Sequence, residues 1–114
     1  MSPDNIMAYS ADVPLFIKDR KKWVRLRVEH VEWLEAADNC TIIHTHQEDH
    51  IVGRTLKQVI DELGETGFER IHRSYAVNLE KIDTIDDGGI RIAGTLLPIG
   101  RKYRQTLLAR LHMI

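Results

Sequence analysis

The hydrophobic period of this chain alternates between two values, and that alternation limits the folds open to it. From Leu15 to Val52 the apolar residues fall in short runs separated by polar or turn-forming residues. Leu56, Val59, Ile60 and Leu63 then recur at i, i+3, i+4 and i+7, one face of a helix. Short strand-like runs return from Phe68 to Ile99, and helical spacing reappears at Tyr103, Leu107, Leu108 and Leu111. Strand-length pieces dominate, with the helices as accessories. The pattern predicts a mainly β domain with seven or more short strands, a central helix and a C-terminal helix.

Taken in order, residues 1–11 mix polar and small residues without a period and read as a flexible leader. Residues 12–114 make one domain, with apolar content (43%) sufficient for a core without disulfide or metal support. Leu15–Ile17 and Trp23–Val28 form a hairpin turning at Asp19 to Lys22, with Val24, Leu26 and Val28 facing inward. Val31–Ala36 and Cys40–His46 form a second hairpin about Asp38-Asn39, and Gln47-Glu48-Asp49 turns the chain into His50–Val52. Thr55 with Gln58 makes a capping box, and Gly64 is placed to end the helix in a left-handed conformation. Lys81–Ile85 reads as a strand, Asp86–Gly89 as a turn, and Ile90–Ile92 with Thr95–Ile99 as a hairpin about Ala93-Gly94.

Phe68–Leu79 is unbroken by glycine or proline for twelve residues. Phe68, Ile71, Tyr75, Val77 and Leu79 give it an inner face, and Arg70, His72, Arg73, Ser74 and Asn78 give it a dense set of donors. Two readings stand together: an anchored element that presents donors to an anionic partner, or an amphipathic edge strand with solvated polar residues. Charge is equally uneven. The formal total is −1, yet residues 17–28 carry +5 and residues 99–112 carry +4. Local field rather than net charge steers a polyanion. Arg101, Lys102 and Arg104 open the last helix, where the macrodipole already disfavours cations; an anion such as a phosphate would make sense of them, as would side chains splayed into water.

Other chemistries find less support. His44, His46 and His50 raise a metal site, but no further His or Cys has ligand spacing, so they read as surface histidines on an exposed sheet face. No nucleophile elbow or phosphate-binding glycine motif is present, and Cys40 is the only thiol, so no enzyme, cofactor or metal is expected. A lone cysteine and the lack of a signal peptide or membrane-length apolar run fit a cytoplasmic protein with no membrane partner.

Residues 70–82, Arg-Ile-His-Arg-Ser-Tyr-Ala-Val-Asn-Leu-Glu-Lys-Ile, resemble the core signature of the LytTR DNA-binding domain, the output domain of LytR/AlgR-type bacterial response regulators. The resemblance runs in order through about residues 14–112. Ile17-Lys18 with Trp23–Leu26 is similar to the family's first hairpin, and Val31–Ala36 with Asp38-Asn39 to its segment of hydrophobic residues, Glu-Ala and Asn. Thr55-Leu56-Lys57 with Leu63 is similar to its central helix, and Leu97–Arg104 to its approach to the last helix.

That resemblance implies an elongated stack of small antiparallel β-sheets with a few short helices, gripping double-stranded DNA through loops on one face. It implies that the turn at Asp38, Asn39, Cys40 and Thr41 and the segment at Arg101 enter successive major grooves. Lys102 and Arg104 lie close by the second, and His72, Arg73 and Ser74 lie over the intervening minor groove. Arg101 suits guanine, Asn39 reads adenine or holds its turn, and Arg73 suits an electronegative minor groove. Lys102 and Arg104 hold phosphates, and Thr41 falls on or near the first loop's base-reading position. Direct repeats bound by two copies are also implied. A receiver domain does not fit in 114 residues beside this fold, so a receiver or sensor partner is expected outside the chain, which is then a stand-alone member or an excised output domain. The alternative is a protein-interaction or ligand-sensing module that keeps the fold without binding DNA.

Overall fold

The computed structural model describes residues 13–64 and 66–114; the leader expected at residues 1–11 lies outside the described residues. Among the described residues, ten strands and two helices follow one another much as the periodicity predicts. β1 (Leu15–Asp19) and β2 (Lys22–Leu26) form the first hairpin, β3 (Val31–Ala37) and β4 (Cys40–Thr45) the second, and β5 (Asp49–Val52) returns beside β4. α1 (Leu56–Leu63) follows. β6 (Phe68–His72) and β7 (Tyr75–Asn78) precede a 3-10 turn at Leu79–Lys81, and β8 (Thr84–Asp86), β9 (Gly89–Ile92) and β10 (Thr95–Leu97) lead to α2 (Arg101–Ala109).

All strand pairs are antiparallel. They make a sheet of order β2-β1-β5-β4-β3-β7-β6 and a second of order β10-β9-β8. The larger sheet is not uniform, because β1 meets β5 through one residue pair, Asp19 with Val52. The first hairpin is therefore attached at a corner. A second link there is the hydrogen bond between His50 Nδ1 and Asp19 Oδ2, at 2.9 Å.

Two apolar cores lie on the two faces of the larger sheet. α1 closes one of them, where Leu56 and Leu63 meet Val31, Leu34, Ile43 and Ala76. The smaller sheet and α2 close the other, where Ile90, Ile92, Leu97 and Leu107 meet Ile71 and Val77. Ala76 and Val77 are adjacent in β7, point to opposite faces and are both fully buried. β7 thus contributes to both cores, as does β6 through Phe68 and Ile71, and the turn between them has a rigid base.

The capping box is present: the Thr55 hydroxyl accepts from the Gln58 amide, and the Gln58 side chain accepts from the Thr55 amide. Gly64 ends α1 with a positive φ of 67°, but its ψ of −138° lies outside the left-handed helical basin expected for it. Glycine is required more strictly at position 89, where φ is 134° and an added Cβ would lie 2.2 Å from the Leu97 carbonyl oxygen.

Several expectations need correction. Phe68–Leu79 is not one strand but a hairpin broken at Arg73-Ser74. No glycine marks that turn because side chains make it: His72 Nδ1 accepts the Ser74 amide at 3.1 Å, and Arg70 donates to the carbonyls of His72 and Arg73. Asn78, assigned to the outer donor set, is buried. Its Nδ2 donates to the Val31 carbonyl at 2.9 Å, and its Oδ1 accepts the Glu80 amide at 3.1 Å. The strand expected over Lys81–Ile85 shortens to Thr84–Asp86, because Leu79–Lys81 forms the 3-10 turn that Asn78 caps.

Candidate nucleic-acid interface

Three loops meet at one end of the larger sheet, and the strand register explains why. β3 runs toward Asp38-Asn39, and antiparallel β7 starts at the same end, with Tyr75 opposite Glu35. The Arg73-Ser74 turn therefore emerges beside the Asp38-Asn39 turn. The Ser74 carbonyl accepts the Ala36 amide at 2.8 Å, which joins them. The third loop is tied in from the other side: the Gly100 amide donates to the Ile71 carbonyl at 2.7 Å. An added Cβ at Gly100 would meet the Tyr103 ring at 2.9 Å and lie 3.6 Å from His72 Cα, so α2 starts directly against the tip of β6.

The side chains presented there differ in exposure. Asn39, Arg73, Arg101 and Lys102 are exposed, and His72, Ser74 and Arg104 are half-buried. Asp38 holds its turn with a φ of 57°, a conformation that aspartate tolerates better than most residues. With His72 Nδ1 accepting from the Ser74 amide, the ring proton belongs on Nε2, which leaves an N–H donor free of that bond.

Thr41 does not join the others. It is fully buried, and its hydroxyl donates to the Arg54 carbonyl at 2.8 Å. The base-reading role expected for its side chain is incompatible with that placement, because the pleat of β4 turns Thr41 and Ile43 into the core.

The electrostatics follow from what is missing. Arg73, Arg101, Lys102 and Arg104 take part in no ion pair among the described residues. α2 has no acidic residue in its first turn and no side-chain cap at Gly100. The macrodipole and three cations therefore act together without compensation, which suits a polyanion. Arg70, counted in the sequence among the outward donors, has its guanidinium committed to the turn carbonyls, and Gly100, which no sequence signal singled out, sets the position of Arg101 through its close approach to His72.

The histidines are placed differently from expectation. Ile43 pairs with His50 and His44 with Asp49, so His44 and His50 occupy opposite faces of the sheet. His44 stacks on Trp33 with its ring nitrogens 2.8 Å from Glu35 and 3.0 Å from Asp49, and His50 is buried. His46 meets His30 edge-on at 4.6 Å between centroids. Two of the three expected surface histidines are thus carboxylate-bound parts of the sheet. No helix among the described residues is long and apolar enough to cross a membrane.

Comparison with known proteins bears on the family and the fold. The LytTr DNA-binding domain family model matches residues 21–112. The chain is similar to the transcriptional regulatory protein YpdB of Escherichia coli O6:H1 (strain CFT073), at 29% identity over 59 residues; the match covers 52% of this chain and 24% of that protein. The chain therefore spans about a quarter of that relative's length. Its structure is similar to the LytTr DNA-binding domain of a protein described as a methyl-accepting/DNA response regulator from Bacillus cereus. The TM-score is 0.73 at 22% identity, covering 84% of this chain and 94% of the other, a likeness of fold. A family match over most of the chain, on a mainly β antiparallel fold of the same kind, shows that this chain belongs to the LytTr DNA-binding domain family.

Proposed function

We propose that this domain binds double-stranded DNA sequence-specifically within a bacterial transcription regulator acting in the cytoplasm. The observation that carries the reading is the convergence of three loops on one rigid sheet end, with four cations that have no ion-pair partner among the described residues. The Asp38-Asn39 and Arg73-Ser74 turns are separated by about two strand spacings, roughly 10 Å. A minor groove is about 6 Å wide, so Arg73 with His72 and Ser74 lies over it while the neighbouring loops reach the flanking major grooves. Arg101 takes a guanine edge, Asn39 an adenine edge, and Lys102 and Arg104 hold phosphates. Two copies occupy a direct repeat, and a receiver or sensor partner outside this chain controls their occupancy. The domain performs no catalysis on this reading.

Selection of bound duplexes from a random pool, followed by titration of the winner at several salt concentrations, tests it. The expected result is an enriched repeat. The slope of log affinity against log salt should be about −3 to −4 per domain copy, if all four cations neutralise phosphates or lie in the groove. A pool that stays random after repeated selection contradicts the proposal.

A further inference from the structure

The corner attachment of the first hairpin leaves an opening. Beyond the Asp19–Val52 pair, β1 and β2 diverge from the sheet, and a cleft of about 440 Å³ lies between them, the loop at Gly53-Arg54, and α1. Leu34, Ile43 and Val52 form its floor, and half-buried Ile17 and Val59 form facing walls. Trp23, 63% exposed, stands at its edge with Lys18 Nζ 5.2 Å from the ring centroid. The size is within the range of about 300–1,000 Å³ usual for small-molecule sites.

The charged groups that line the cleft define the occupant. Lys18 and Arg54 line it against one acid, Glu62, and neither cation is in an ion pair among the described residues. An apolar interior with a cationic margin suits a small amphipathic anion: an aromatic or branched aliphatic body carrying one carboxylate. Arg54 also has a mechanical connection. Its carbonyl accepts the Thr41 hydroxyl at 2.8 Å, and Thr41 lies two residues after Asn39.

We propose that this cleft is a binding site for such a carboxylate, and that occupancy is transmitted through Arg54 and Thr41 to the Asp38-Asn39 turn. The importance of that turn rests on the DNA-binding reading, but both occupancy and transmission are measurable without DNA. The probe is 2-naphthoate, titrated into the isotope-labelled full chain and followed by amide chemical shifts, with 2-naphthylmethanol as the neutral counterpart. Saturable shifts are expected at Ile17, Lys18, Gly53, Arg54 and Val59, together with Thr41 and Cys40. The alcohol should bind about fivefold or more weakly, and Arg54→Gln should weaken naphthoate by about threefold to tenfold without changing the alcohol. Val59→Trp fills the cleft and should abolish both. If that variant does not fold, Arg54→Gln at the exposed margin still decides. The site is refuted by absent saturable shifts, by shifts centred on residues 72–74 and 100–104, or by equal affinity for the alcohol. Unmoved Thr41 and Cys40 amides in the saturated protein refute the transmission.

Discussion

Asn78 separates a structural from a ligand-facing reading of the most distinctive segment of this chain. Its side chain is 3% exposed and bridges two elements: Nδ2 donates to the Val31 carbonyl, 47 residues away in sequence, and Oδ1 accepts the Glu80 amide. Asn78→Ala removes both bonds. Depriving the buried Val31 carbonyl of its donor costs about 1–3 kcal/mol, and losing the cap of the 3-10 turn adds roughly 0.5–1 kcal/mol. The sum is about 1.5–4 kcal/mol. For a domain of this size that lowers the thermal midpoint by roughly 6–17 °C. Urea unfolding of both proteins measures the loss, and titration of the selected duplex, normalised to the folded fraction, measures the effect on binding. The expected result is the full destabilisation with unchanged affinity per folded molecule. A loss under about 0.5 kcal/mol, or an affinity drop with stability intact, would refute the reasoning.

Two further substitutions test other parts of the structure. Thr41→Val keeps the shape of a buried residue and removes its hydroxyl, so stability should fall by about 1 kcal/mol while base preference stays unchanged; altered base preference in a stable variant would restore the role inferred from resemblance. Asp19 has its carboxyl held below its usual value, chiefly by the hydrogen bond from His50 and further by the charges of His50 and Arg20. A depressed carboxylate stabilises the fold fully above the unfolded value, about 3.9, and that contribution disappears as pH falls through the folded value. Asp19→Asn should therefore unfold more readily than the parent at neutral pH, with the gap closing in acid; urea midpoints that run parallel across the acid range would show that the pair contributes nothing.

Much of the fold was legible because local chemistry and tertiary structure agree. The Arg20-Lys21, Asp38-Asn39 and Ala93-Gly94 turns fall inside or on the predicted positions, and the Thr55 capping box starts α1 where the period changes. The failures share a physical cause, which is that tertiary partners are not written locally. The Arg73-Ser74 turn carries no turn-forming glycine because Arg70 and His72 supply its hydrogen bonds. Asn78 looks like a surface donor until the Val31 carbonyl arrives from β3. In β4 the more apolar Ile42 is less buried than Thr41, so the hydrophobicity of single residues does not give the inner face there. The candidate interface divides in the same way. Arg73, Arg101 and Lys102 stand out as charge clusters in the sequence, whereas the Ser74–Ala36 and Gly100–Ile71 bonds that bring them together depend on the register of strands far apart in the chain.

The most direct test of the central claim is the base preference of Arg101. The wild type and Arg101→Ala would be titrated against the selected duplex and against versions with each base pair replaced singly. If Arg101 reads a guanine edge, the wild type should lose about 1–3 kcal/mol at one G·C pair. Arg101→Ala should bind all versions at that position equally while keeping its preferences elsewhere. An Arg101→Ala protein that is weaker by the same factor on every duplex, with the full set of preferences intact, would make Arg101 a phosphate contact and contradict the claim that this loop reads sequence.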